Sequence, residues 1–137
     1  MGWCKSQGIL AELIFDTEAT RRGLKVLKPL LELKYDRMIE WRGRTFRVQV
    51  KSTSKPEKNR QGYAVRSCWG GTKKRRYSTK MVDILAVYIV PLDLWYMIPM
   101  RKVKAKTIRI FPRTPNKGQF SSYEGAWALF KAKKGAK

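Results

Sequence analysis

No histidine occurs anywhere in the 137 residues. The commonest general base is therefore missing, which argues against Ser-His and Cys-His hydrolases. Cysteine is almost absent too, with only Cys4 and Cys68. Two lone thiols cannot build a zinc site, which usually takes four Cys or His ligands. They read as reduced, partly buried thiols of a cytosolic protein. Acidic residues are scarce: ten against 31 Lys and Arg, a formal net charge of +21. No apolar run approaches the length of a membrane span. The start of the chain, Met1-Gly2-Trp3-Cys4-Lys5, lacks the apolar core of a signal peptide. Any hydrolytic chemistry must then rest on a metal-activated water, on carboxylates or on lysine.

The composition that is present bounds the rest. Apolar residues make up 43% and aromatics 12%, so the chain is not disordered. Its length suits one domain, residues 1–137, with enough core to fold without staples. The cationic excess points to a polyanionic partner. Nucleic acid is the leading candidate. An anionic membrane would require a basic amphipathic helix, and only the last dozen residues offer one. The expected setting is cytoplasmic or nucleoid-associated, without a membrane.

Along the chain, residues 6–22 read as a helix. Ser6 caps it, Leu10, Leu13, Ile14 and Thr17 form its apolar-leaning face, and Gly23 ends it. Glu12 and Asp16, four apart, share a face. Residues 24–27 form a short strand stopped by Pro29. A hairpin spans 36–53 around the turn Arg42-Gly43-Arg44, and its second half alternates Phe46, Val48 and Val50 with Thr45, Arg47, Gln49 and Lys51. Residues 63–67 are a further strand. Residues 84–90 are a near-continuous apolar segment, expected as a doubly buried central strand. Residues 95–98 return as its partner, and 107–111 form an edge strand. Ser121-Ser122-Tyr123-Glu124 is a capping box expected to open a helix through Trp127, Leu129 and Phe130. A basic tail follows from about residue 131. Helix, strands, helix describes an α/β or α+β domain around a mixed sheet.

Period-two alternation puts Gln49 and Lys51 on one face of their strand and the valines on the other. Asp36 opens the preceding strand, so it can approach both. A carboxylate, an amide and an ammonium make a poor core. They suit phosphodiester cleavage, because Mg²⁺ binds carboxylate and carbonyl oxygens and lysine stabilises developing negative charge. Each residue has a blander reading: Asp36 as a turn residue, Lys51 as a solvated strand position, Glu12 as half of a surface ion pair. Asp16 and Glu40 read as surface charges and Asp83 as a structural strand-start residue. The basic and aromatic residues at Arg60, Tyr63, Arg66, Trp69, Lys73, Lys74, Arg75, Arg76 and Tyr77 suit phosphate contacts with local stacking, with Tyr63 and Trp69 equally suited to a core. Arg109, Arg113 and Lys117 can extend that surface.

In this order the motifs resemble the PD-(D/E)XK nuclease superfamily. Tyr35-Asp36 corresponds to its Pro-Asp pair, Gln49-Val50-Lys51 to its acidic-x-Lys, and Gly8-Ile9-Leu10-Ala11-Glu12 to its helical glutamate motif. The resemblance spans roughly residues 8–99. Gln49 departs from the acidic consensus. With Arg47-Val48-Gln49-Val50-Lys51-Ser52, Val82-Asp83-Ile84-Leu85 and Trp95-Tyr96-Met97-Ile98-Pro99, it is most similar to the branch of group I intron-encoded homing endonucleases. The resemblance implies a restriction-endonuclease-like core, its mixed sheet flanked by an N-terminal and a C-terminal helix. It implies a Mg²⁺-dependent endonuclease acting on double-stranded DNA as a homodimer or homotetramer, with Mn²⁺ able to substitute. Glu12, Asp36, Gln49 and Lys51 would be the catalytic set, and Glu12, Asp36 and the Val50 carbonyl would hold the metal. Arg60, Arg66, Lys73, Lys74, Arg75, Arg76 and Tyr77 would contact DNA. The alternatives are a Holliday junction resolvase on the same core and a non-catalytic DNA-binding protein whose Gln49 marks a decayed site.

Overall fold

A computed structural model describes residues 3–57, 62–70, 73–112 and 118–132, with side chains from residue 6 onward. The chain opens with α1, Trp3–Arg21, and turns at Gly23 in the left-handed conformation, which lacks a steric penalty only for glycine. Strand β1, Lys25–Leu27, follows. Strands β2, Arg37–Trp41, and β3, Arg44–Thr53, form the expected hairpin. Its two loop residues, Arg42 and Gly43, both have positive φ. That is the mirror-image turn whose twist matches a hairpin.

Strands β4, Tyr63–Arg66, β5, Cys68–Trp69, and β6, Arg75–Arg76, come next. Then follow β7, Ile84–Ile89, β8, Leu94–Pro99, and β9, Thr107–Ile110. The main sheet has the order β1-β2-β3-β7-β8. Only the β3–β7 pair is parallel. All six residues of β7 are buried, as an unbroken apolar run between two strands requires. Strand β9 pairs with β4 rather than edging the main sheet, and β5 pairs with β6.

Two cores sandwich the sheet. Under α1 lie Phe15, Val48, Val50, Ile84, Ala86, Trp95, Trp127 and Phe130. On the other face Leu85, Val87, Ile89, Tyr96 and Ile98 meet Tyr63, Val65, Tyr77 and Ile108. Aromatic rings tie the first core together: Phe15 stacks on Trp127 at 5.4 Å, and Tyr88 on Trp95 at 4.6 Å.

Sequence expectations change in α1 and at the C-terminal segment: α1 starts at Trp3, so Ser6 lies inside it rather than capping it. Helix α1 buries Ala11, Phe15 and Ala19, whereas Leu10 and Leu13 are 46% and 56% exposed and Ile14 is only partly buried. The i, i+4 row carrying two alanines lets the helix lie close on the sheet, so the leucines are left outside. The C-terminal segment forms two 3₁₀ turns, Ser121–Tyr123 and Trp127–Lys131, in place of an α-helix. The Glu124 carboxylate, needed by a capping box, instead accepts the Tyr96 hydroxyl at 3.0 Å. Gly125, left-handed at φ 62°, then donates its N–H to the Trp95 carbonyl and breaks the run. Among the described residues, no helix is long and apolar enough to cross a membrane.

Candidate active site

The site forms where the β2–β3 ladder ends. Its last pair is Arg37 with Val48. One residue earlier, Asp36 donates its N–H to the Val48 carbonyl at 2.8 Å. Its side chain then takes the place of the missing strand: Oδ2 accepts the Val50 N–H at 3.1 Å. In an extended strand the N–H and C=O of one residue point to the same side. The Val50 carbonyl therefore also faces the Asp36 side, beyond the last β2 pair.

Val48 and Val50 enter the core under α1. Leu85 and Val87, the neighbours of Gln49 and Lys51 on β7, enter the opposite core. Gln49 and Lys51 thus share the face away from α1, as the alternation requires. Gln49 is 8% exposed. The Lys51 ammonium sits 5.5 Å from the centre of the Tyr77 ring. Burial pushes the Lys51 ammonium below its usual range; the negative charge of Asp36 opposes that shift, and the cationic Lys74 adds to it. Burial also raises the Asp36 carboxyl, against the Val50 N–H, Lys51 and Arg37, which favour its ionised form.

Glu12 reaches the site from the helix side. Its carboxyl is raised first by burial and then by repulsion from Asp36, so the two acids feel each other. Gln7 donates to the Ser52 hydroxyl at 3.0 Å and pins the N-terminal half of α1 over this end of β3. The residue that sequence reasoning missed is Arg37. It is 3% exposed. Its guanidinium donates to Glu12 at 3.0 Å, to both Asp16 oxygens at 2.7 and 3.0 Å, and to the Asp36 carbonyl at 2.8 Å. Asp16 is therefore a buttress of this network rather than a loose surface charge. The available signal was a pair of acids four apart on a helix, which asks for a basic partner.

The donor set is oxygen only. Among the described residues no three His, Cys, Asp or Glu side chains cluster as metal ligands. Two mutually repelling, partly buried carboxylates beside the carbonyl just past the β2–β3 ladder still fit Mg²⁺. That ion takes few protein oxygens, keeps several waters and relieves the repulsion.

Asp83 sits at the start of β7 and is consumed by Arg47, whose backbone N–H and guanidinium donate to it at 2.7 to 3.0 Å. The structural reading of Asp83 therefore holds. Glu40 lies 3.8 Å from Lys25, both partly exposed. Arg66, Lys73, Lys74, Arg75 and Arg76 are exposed. The β5–β6 hairpin is tied to the site: Lys34 from the connection before Asp36 lies 3.7 Å over the Trp69 ring, with Arg75 6.0 Å from it. Tyr77 belongs to the core on the face opposite α1. Its ring is buried beside Lys51, and burial first, then Asp36, pushes its phenol up to about 12. Tyr63 is likewise a core residue. Arg60, Arg113 and Lys117 lie outside the described residues.

A mixed sheet whose strand-opening aspartate meets a Gln-x-Lys strand, with a helical glutamate above, has the form of a nuclease core. Residues 4–130 match the PD-(D/E)XK endonuclease family, and the chain belongs to it. Among solved structures it is similar to a bacterial homing endonuclease, I-Ssp6803I, with 28% identity over 95% of each chain and a TM-score of 0.84. No curated protein sequence matches significantly.

Proposed function

We propose that the chain is a Mg²⁺-dependent endonuclease of double-stranded DNA, of the site-specific homing type, working as a homodimer or homotetramer. The observation that carries this reading is the Asp36 carboxylate bonded to the Val50 N–H. It fixes an acid beside the Gln49–Lys51 stretch of β3, where the β2–β3 ladder ends. The likeness to a homing endonuclease supports the choice of substrate.

Asp36, Glu12 and the Val50 carbonyl would hold the ion. When bound, it supplies positive charge to the phosphate and makes water a better nucleophile. Lys51 offsets charge on the pentacoordinate phosphate from a half-buried position, where low polarity strengthens its field. The Gln49 amide orients the attacking water by hydrogen bonding. Being neutral, it leaves the site one negative charge short of the acidic consensus. Arg37 keeps Glu12 in place and tempers its repulsion of Asp36. The exposed cations of the β5–β6 hairpin grip phosphates without reading sequence.

The test compares linear duplex, four-way junction and RNA as substrates, in Mg²⁺ and in Ca²⁺, for the wild type and Lys51→Ala. Duplex cleavage in Mg²⁺ alone, reduced at least about 100-fold in Lys51→Ala, is expected. Duplex binding should stay within a few-fold, because one cation among 31 contributes little to total attraction. Wild-type cutting by Lys51→Ala would refute the assigned site. Cutting of the junction alone would transfer the reading to a resolvase, and no cutting would leave a binding protein.

A further inference from the structure

We propose that the outer face of α1, together with the β1–β2 connection, is the surface on which a second copy of this chain docks. The inference rests on the oligomeric endonuclease reading above and supplies its interface.

Among the described residues, the exposed large hydrophobic side chains are Ile9, Leu10, Leu13, Leu27, Leu30, Leu31 and Leu33. All fall on α1, on β1 or in the connection after it, and α1 packs against β1. Leu30 is 99% and Leu31 73% exposed. Isolated exposed leucines are ordinary, but a gathering of this kind marks an interaction surface. β1 is also an edge of the main sheet.

Charge identifies the occupant. Residues 6–20 contain no Lys or Arg, in a chain that carries 31 of them. The three acids of that stretch are already neutralised: Glu12 and Asp16 by Arg37, Glu18 by Arg21 and Arg22. DNA and anionic lipid find no cation within residues 6–20 of α1; Lys28 and Lys34 of the connection border this stripe, and Lys28 acts on the Glu12 carboxylate. Two chains of net charge +21 repel nearly everywhere, and they can approach closely where neither presents a cation.

The stripe is also self-complementary. Leu10, Leu13, Thr17 and Thr20 are exposed and spaced three and four apart, the spacing with which two helices interdigitate at a shallow angle. The Thr17 hydroxyl donates to the Leu13 carbonyl at 3.0 Å, so its donor is satisfied within the helix. A two-fold axis across α1 would set this row against its own copy, as an isologous contact requires.

The experiment is sedimentation velocity on the full chain without DNA or metal, for the wild type, Leu10→Lys/Leu13→Lys and Leu10→Ser/Leu13→Ser. Circular dichroism would confirm the fold. The wild type should sediment as a dimer or a dimer-based assembly. The lysine pair should shift it to monomer, and the serine pair should weaken association at least about tenfold through lost apolar burial. A monomeric wild type at tens of micromolar, or either variant associating like the wild type, overturns the proposal. Because mass needs no cleavage, inactive protein that still loses its dimer would refute the endonuclease reading and leave this interface standing. Leu30→Ser/Leu31→Ser tests the connection: a loss of DNA affinity at unchanged mass would remove it from the interface.

Discussion

Strand β3 is flanked by two aspartates that begin alike and end differently. Asp36 precedes β2 and accepts the Val50 N–H on one side of β3; Asp83 precedes β7 and accepts the Arg47 N–H on the other. Arg47 adds its guanidinium to both oxygens of Asp83, so that carboxylate is spent on joining strands. Arg37 hydrogen-bonds Asp36 at its backbone carbonyl and favours its carboxylate only through space, while the guanidinium is bonded to Glu12 and Asp16. Its carboxyl is left desolvated and raised. One aspartate has its charge satisfied within the fold; the other is held in position with charge to spare, which is what a cation site needs.

Exchanging each acid for its amide should separate the two aspartates most clearly. Asp36→Asn should lower single-turnover cleavage by at least about 1,000-fold, while Asp83→Asn should cut normally per folded molecule. In stability the order should reverse. Asp83→Asn should cost about 1–3 kcal/mol, read by urea unfolding, because it removes charge-assisted bonds. The sign for Asp36 follows from linkage. A carboxyl whose folded pKa is raised contributes stability present below its unfolded value, lost as pH rises through the folded one. Metal-free Asp36→Asn should therefore be at least as stable as the wild type at neutral pH. Equal destabilisation by both variants would show that Asp36 is a strand clamp like Asp83.

Gln49, on β3 beside Asp36, should show the next largest effect. Gln49→Leu removes the amide oxygen at similar volume and should slow cleavage well over tenfold, as lost positioning does. Gln49→Glu adds an acid to the site and should tighten Mg²⁺ or Mn²⁺ binding. Titrating metal against single-turnover cleavage checks both. Full activity in Gln49→Leu would make this residue a spectator.

The smallest effect concerns the exposed cations of the β5–β6 hairpin. Exposed Lys73, Lys74, Arg75 and Arg76 should each add a little to the salt dependence of DNA binding. With roughly six phosphate contacts in all, wild-type affinity should fall about 1,000-fold from 50 to 200 mM salt. Neutralising these four should flatten the slope by up to about four contacts' worth. An unchanged slope would put the DNA surface elsewhere.

Much of the fold was legible locally. The alternation of residues 45–51, the Gly43 turn, the unbroken apolar run ending at Ile89 and the helix stop at Gly23 all express short-range rules of backbone conformation and side-chain period. They suffice to put Gln49 and Lys51 on one face with Asp36 nearby. The buried face of α1 was harder to read, because alanines beside a phenylalanine form a weaker apolar signal than leucines. The C-terminal helix was misread because the Tyr96 hydroxyl, 28 residues away, claims the Glu124 side chain.

The charge balance, the exclusion of histidine chemistry and the elements that carry the site are all written in local sequence. Which carboxylates remain available depends instead on contacts between residues far apart in the chain. Arg37 meets Glu12 across 25 residues of chain, and Arg47 meets Asp83 across 36. Ion pairing depends on the field at a few ångströms, and no local spacing rule shows which of 31 cations will arrive there.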